Sequence, residues 1–261
     1  MHFAAHIEVG EGERDPVGFW DNNVGGSISL VRAMDRHDVR RLVFSSTCAV
    51  YGMPEILPIR EIAPKAPVNV YGRTKMAVEQ MLHDAHSATH LSYAALRYFN
   101  AAGASPDGDV GEQHDPETHL IPNALRAASG LGPAMQLFGD DYDTPDGTCI
   151  RDYIHVMDLA RAHLLALDRL LAGTRRIEVN LGTGRGCSVR EVLEAVERVT
   201  GRKVPHETLP RRPGDAPQLY ADASLAKQVL GFVPQCSDLS TIVGDAWNFH
   251  RPHWDSEAAR G

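Results

Sequence analysis

The run Arg41-Leu42-Val43-Phe44, closing on Ser45-Ser46, constrains the fold more than any other feature of this chain. It is apolar on successive residues, with no polar alternation, so both faces of a strand there are covered. Small hydroxyl residues at its C-terminal end mark the loop side of a parallel sheet. Residues 17–34 recur at Val24, Ile28 and Val31 with helical period. Residues 71–86 carry Met76, Val78, Met81 and Leu82 in the same way, and residues 91–99 form a second apolar run ending at Asn100. Strand, helix, strand in this rhythm predicts an α/β fold with a doubly wound parallel sheet.

After Asn100 the texture changes. Residues 101–117 are rich in Gly, Pro and Asp and are expected to form a loop. Residues 120–129 read as a helix, 136–139 as a short strand and 139–148 as an acidic turn. A helix is expected over 152–171, a strand over 177–181, a helix over 188–199, and short strands, short helices and loops over 203–261. Gly182-Thr183-Gly184-Arg185-Gly186 stands where a dinucleotide fingerprint belongs, but Cys187 displaces the third glycine of G-x-G-x-x-G. Glu191 lies three residues after Ser188, which makes Ser188 the N-cap of a capping box and the glycines a tight turn.

Composition excludes several classes of function. The formal charge of -8 opposes nucleic acid as a partner. No stretch approaches the ~18 apolar residues of a membrane span. The first residues, Met1-His2-Phe3-Ala4-Ala5-His6, lack the basic and apolar regions of a signal peptide. Cys48, Cys149, Cys187 and Cys236 are far apart, which predicts reduced thiols and a cytoplasmic protein. Among the 13 His, His83, His86 and His90 approach one helical face, at a polar helix end that reads as solvated surface. No metal is predicted.

Tyr71 and Lys75 carry the chemistry. Four residues apart on a helix, they share a face. A fixed cation beside a phenol draws its pKa down from ~10, and an added hydroxyl donor completes a base able to take a proton from an alcohol. Ser45-Ser46-Thr47 lies upstream as the source of that donor.

These segments, in order, resemble the extended short-chain dehydrogenase/reductase family, and within it the NAD-dependent epimerases of nucleotide sugars. The residues that carry the resemblance are Phe3-Ala4-Ala5, Asp21-Asn22-Asn23-Val24, Phe44-Ser45-Ser46-Thr47, Val50-Tyr51-Gly52 and Tyr71-Gly72-Arg73-Thr74-Lys75. Arg97-Tyr98-Phe99-Asn100, the stretch from Asp146 to Asp158 and Arg211-Arg212-Pro213-Gly214-Asp215 continue it. The resemblance implies a partial Rossmann-type sheet with its first strands missing. Family chains open with a strand and a Gly-rich turn, whereas this chain starts at what resembles the end of the fourth strand. A fragment of a longer enzyme is therefore expected. Residues 1–100 would form the C-terminal part of the NAD-binding domain, with sheet elements recurring around 150–182. Residues 101–261 would mainly form a smaller α/β domain for the nucleotide sugar.

By the same resemblance, the implied activity is interconversion of UDP-galactose and UDP-glucose at C4 through a 4-keto sugar, in galactose metabolism. Tyr71 would be the base, Lys75 would lower its pKa and meet the nicotinamide ribose, and Thr47 would hydrogen-bond the reacting oxygen. Phe3, Ala4, Ala5, Asn22, Ser45, Ser46 and Tyr98 would line NAD. Asn100, Arg151 and Arg212 would hold the substrate diphosphate, and His119, Leu120, Gln136 and Phe138 would frame the uridine. Asp215 would accept from a ribose hydroxyl. Leu219 would lie near the sugar's C2 substituent, and Ile7 replaces a lysine common near the nicotinamide. The helix at 71–86 is where a homodimer could form. Two other readings remain: a sugar-nucleotide dehydratase, which Cys48-Ala49 disfavours because neither residue is a carboxylic acid, and an inactive fragment that only binds nucleotide sugar.

Overall fold

The computed structural model describes residues 1–212 and 214–258, so Pro213 of the Arg211–Asp215 motif lies outside the described residues, as do residues 259–261. In chain order the first elements are α1 (Val9–Arg14), α2 (Pro16–Trp20), α3 (Gly26–Arg36), β1 (Arg41–Thr47), α4 (Val70–Ala88), β2 (Ser92–Tyr98) and β3 (Asn100–Ala102). Then come α5 (Leu120–Ala128), β4 (Met135–Phe138), β5 (Ile150–Arg151), β6 (Tyr153–His155), α6 (Val156–Leu171) and β7 (Arg176–Leu181). The last are β8 (Cys187–Ser188), α7 (Val189–Thr200), β9 (His206–Leu209), β10 (Gln218–Leu219), α8 (Ser224–Leu230) and α9 (Leu239–Ala258). No described helix is long and apolar enough to cross a membrane.

The chain divides into two compact units. The first comprises Met1–Phe99, Arg161–Leu181 and Ala221–Val233. Its sheet has the order β1-β2-β7, every pair parallel. His2 extends the edge: its N–H donates to the Val43 carbonyl at 2.8 Å, and its carbonyl accepts from the Ser45 N–H at 3.1 Å. Met34 of α3, Leu42 and Phe44 of β1, Val78 and Leu82 of α4, and Tyr93 and Ala95 of β2 form one buried cluster. The alternation of strand residues between faces produces that packing.

A π-helical turn, Asp21–Gly25, joins α2 to α3. It turns Asn23 inward, where the side-chain oxygen accepts from the His6 N–H at 2.7 Å and the amide donates to the His6 carbonyl and to Thr74 Oγ1. Beneath β1 and β2, Arg97 forks onto both oxygens of Glu79 at 2.8 Å, and Lys65 and Ser46 complete the carboxylate's partners.

The second unit comprises Asn100–Ala160, Gly182–Tyr220 and Pro234–Gly261. It holds the parallel pairs β3-β6 and β4-β9 and the three-stranded order β10-β5-β8. Its core gathers Ile121, Ala124 and Leu125 from α5, Val192, Leu193 and Val196 from α7, and Ile242, Val243 and Ala246 from α9.

The elements depart from expectation at four places. Strand β1 continues through Ser45 and Ser46 to Thr47, because all three pair with β2. Part of the expected loop after Asn100 is strand β3. The helix expected from Asp152 starts at Val156, since Tyr153–His155 pairs with β3 instead. The C-terminal region holds a 20-residue helix rather than short ones: α9 continues past Gly244 and Pro252, starting where Asp238 accepts from the Thr241 N–H at 3.0 Å. The glycine turn at 182–186 bears out its structural reading. The Asp152 carboxylate takes the N–H and hydroxyl of Thr183 and the N–H of Gly184, so an internal anion occupies the turn's donors. Ser188 and Glu191 form the expected capping box.

Candidate active site

Asn69 starts α4 by accepting the Gly72 N–H on its side-chain oxygen at 2.8 Å. Gly72 then lies so close to the turn after Thr47 that a Cβ there would sit 2.6 Å from the Ala49 carbonyl oxygen. Glycine is what lets the start of α4 reach the end of β1. The consequence is that the Thr47 side chain comes near enough to the Tyr71 phenol to favour its ionised form. Thr47 also accepts the Ala49 N–H at 3.1 Å, which fixes its side chain.

Lys75 is one turn on and 2% exposed. Its Nζ donates to the Ser45 carbonyl at 2.8 Å and stands 5.0 Å from the centre of the Phe44 ring and 5.7 Å from that of Tyr71. Burial lowers its pKa to about 8. Burial acts oppositely on the Tyr71 phenol, pushing it well above its ordinary value; neighbouring Tyr98 adds to this, while Thr47 opposes it. The expectation that Lys75 draws the phenol toward neutrality is therefore not met in this structure. The ammonium is the group moved toward neutral pH, because it is buried against a carbonyl rather than a charge.

Ser45 and Tyr98 hydrogen-bond through their hydroxyls. Ser46 points the other way, fully buried and donating to Glu79 at 2.5 Å, so its side chain does not join this group. Phe3 follows the His2 bridge, 55% exposed, with its ring 4.8 Å from that of His163. Ala4 and Asn22 are exposed and Ala5 is half-buried. Asn22 donates its amide to Asn23. Ile7 is exposed.

The second unit contains a cavity of about 620 Å³. Asn100, His119, Leu120 and Gln136 line it, together with Phe138, Arg151, Arg212 and Asp215. Leu219 does not; it pairs with Arg151 between β10 and β5. Arg212 lies over the Phe138 ring at 4.5 Å and donates to Asp215 at 3.0 Å. Arg151 Nη1 donates to the Ile150 and Ala216 carbonyls, leaving Nη2 3.8 Å from Asp215. Two guanidinium groups and an aromatic face in one concavity suit an anionic ligand with a planar ring.

Sequence reading passed over Asn123, Arg126 and Tyr153, which also line this cavity. Asn123 follows His119 by four residues on α5, and that spacing was a usable signal. The pairings of Asn23 with Thr74 and of Glu79 with Arg97 left none, since the partners are distant in sequence.

Residues 1–182 match the NAD dependent epimerase/dehydratase family. The chain is 49% identical over 253 residues to a UDP-glucose 4-epimerase of Halalkalibacterium halodurans, covering 97% of this chain and 76% of that protein. It superposes with a TM-score of 0.93 and 53% identity on the UDP-glucose 4-epimerase of Brucella ovis solved in complex with NAD, over 97% of this chain and 77% of the other. The UDP-glucose-4-epimerase of Stenotrophomonas maltophila, solved with NAD and formylated UDP-arabinopyranose, gives 0.95 and 45% over 98% of this chain and 76% of its own.

Proposed function

Because the chain belongs to the NAD dependent epimerase/dehydratase family, we propose that it interconverts UDP-galactose and UDP-glucose by inverting C4 of the hexose. The observation that carries this reading is the Thr47–Tyr71 hydroxyl pair beside Lys75, followed in the chain by Cys48 and Ala49 rather than carboxylic acids. Such a pair can move a proton on and off a sugar hydroxyl and offers no acid for expelling a neighbouring one.

Lys75 is the test of fit for the dinucleotide. Of its three N–H donors one goes to Ser45, so the ammonium presents two more to vicinal hydroxyls. That donor set, with the Ser45 and Tyr98 hydroxyls close by, fits a ribose. Phe3, Ala4, Ala5, Asn22, Ser45, Tyr71, Lys75 and Tyr98 are the residues assigned to it, while Ser46 stays with Glu79. When bound, NAD supplies the acceptor and later the donor of the C4 hydride.

The remaining work falls to this chain's own groups. Tyr71, acting as phenolate, takes the proton of the C4 hydroxyl as the alcohol becomes a ketone, and as phenol returns it when the ketone becomes an alcohol. Thr47 holds the phenol in place and hydrogen-bonds the same oxygen. Arg151 and Arg212 hold the diphosphate while the hexose turns its other face. His119, Leu120, Gln136 and Phe138 frame the uridine, Asn100 reaches the diphosphate, and Asp215 accepts from a ribose hydroxyl. Leu219 is assigned to the surroundings of the C2 substituent. By the same likeness the protein is assigned to the cytoplasm, with α4 as the face of a homodimer.

The test is conversion of UDP-galactose to UDP-glucose, followed by proton NMR of the anomeric signals, using the protein isolated from its source cells with NAD. Conversion in both directions is expected. UDP binding without conversion would leave a nucleotide-sugar binding protein and end the enzymatic reading.

A further inference from the structure

In the second unit, the loop leading into α5 brings four ligand-type side chains together, one of which, His119, also lines the cavity. Glu112, His114, Glu117 and His119 each point a donor atom inward, and the four atoms lie within 4.8 Å of one another. We propose that Glu112, His114, Glu117 and His119 form a structural site for a zinc-class divalent cation.

Geometry carries the proposal. His119 Nδ1 is 3.1 Å from Glu117 Oε1 and 3.5 Å from Glu112 Oε1, and His114 Nδ1 is 3.8 Å from Glu117 Oε2. A tetrahedral zinc with ~2.0–2.1 Å bonds has edges of about 3.3–3.4 Å, so these three separations lie within about half an ångström of such edges, while the cluster's full spread of 4.8 Å has to contract around the ion. Glu112 Oε1 and His114 Nδ1 are buried and have no hydrogen-bond partner. Buried polar atoms without partners are rare, and a cation among them would satisfy both.

The surroundings hold the ligands in place. Glu117 accepts the N–H groups of Thr118 and His119 on its carboxylate at 2.7 and 2.8 Å, and its own carbonyl accepts from the Asn123 side chain at 3.2 Å. Gly111 lies against the Phe249 ring so closely that a Cβ would come within 2.4 Å, which fixes the chain just before Glu112. Two neutral imidazoles and two carboxylates balance a divalent charge. Two nitrogen donors favour zinc over magnesium or calcium, which take oxygen. By contrast His83 meets the Arg176 guanidinium, and His86 the Leu91 carbonyl.

A cation here would tie the loop to the first turn of α5, where His119 and Leu120 line the cavity of the second unit. The site thus bears on the shape of that wall and takes no part in the proton transfer.

The experiment strips the full chain with a chelator, titrates it with zinc, and counts the metal retained after desalting. One zinc per chain is expected for the wild type. His114→Ala and Glu112→Gln, each checked for fold by circular dichroism, should weaken retention by at least about tenfold, and His83→Ala should leave it unchanged. Replacement by cobalt(II) should give the intense visible bands of a tetrahedral ion without the near-ultraviolet band of thiolate, so the readout stands even if a variant fails to fold. No retention by the wild type, equal retention by both variants, or the weak absorption of an octahedral ion would overturn the site. None of these readouts depends on epimerase activity.

Discussion

Lys75 holds an ammonium where burial disfavours it, and that gives it a signature in stability. The amine titrates at 10.5 when unperturbed and at about 8 in the fold. Between those values the unfolded chain binds more protons than the folded one, so stability rises with pH. Cys187, raised above 9.0, and Tyr71 and Tyr98, both raised above 10.0, act in the opposite sense from about pH 9 and pH 10, so the Lys75 contribution over pH 8–10 is read as the difference from a variant that lacks the amine. The expected gain across that range is about 2–3 kcal/mol. Denaturant unfolding at pH 8 and 10 should show it as the change in the wild type over that in Lys75→Met; an equal change in both would exclude Lys75 as the source.

Glu79 has the opposite sign. Burial alone would raise its carboxyl, but the hydrogen bonds and charge of Arg97, with Lys65 adding, bring it below its ordinary 4.5. The pair therefore adds stability above pH 4.5, and that stability is lost as pH falls through the lower folded value. Glu79→Gln leaves Arg97, 1% exposed, with Glu178 as its remaining carboxylate. Removing one partner of a buried pair costs about 3–5 kcal/mol. A loss below about 1 kcal/mol in urea melts at pH 7 would show that Glu178 and the Tyr51 hydroxyl, which accepts from Arg97 at 3.0 Å, suffice.

Among the elements, α7 owes its start to Ser188, whose hydroxyl accepts the Glu191 N–H and also meets Asp146, while the Glu191 carboxylate accepts the Ser188 N–H at 2.7 Å. Ser188→Ala should cost about 1–2 kcal/mol, read as a lower thermal midpoint with the secondary structure intact. This cap was legible in the sequence because both partners lie within one turn. So were α4 and β2, whose apolar periods are regular. Strand β6 was not: Tyr153-Ile154-His155 runs straight into the apolar stripe of α6, and a short apolar run does not distinguish strand from helix. Nor was the length of α9, in a region expected to hold only short elements: it runs past Gly244 and Pro252 because Ile242, Val243, Ala246 and Phe249 are buried along it. The residues of the cavity could be named through family motifs. The direction of the Tyr71 and Lys75 shifts could not, because it depends on burial by distant segments.

At the scale of the molecule, each compact unit has its own buried cluster, and the proposed roles in proton transfer and in nucleotide binding are divided between them. Tyr71, Thr47 and Lys75 belong to the first unit; Arg151, Arg212 and the cavity belong to the second. Defects in turnover and in nucleotide affinity should therefore separate. Arg151 is fixed by two carbonyls on Nη1, so its fork is oriented before any anion arrives. Arg151→Lys keeps the charge and loses the fork. Charged hydrogen bonds are worth about 1.5–3 kcal/mol, so UDP affinity should fall roughly 10- to 100-fold. Tyr71→Phe removes one hydroxyl from the other unit. It should lower kcat by about 10²–10⁴ and leave UDP affinity within about twofold. Calorimetric titration with UDP and the NMR assay, run on the same preparations, read both quantities. If Tyr71→Phe weakened UDP by tenfold, the phenol would be a nucleotide ligand rather than the base, and Thr47–Tyr71 would no longer identify where the proton moves.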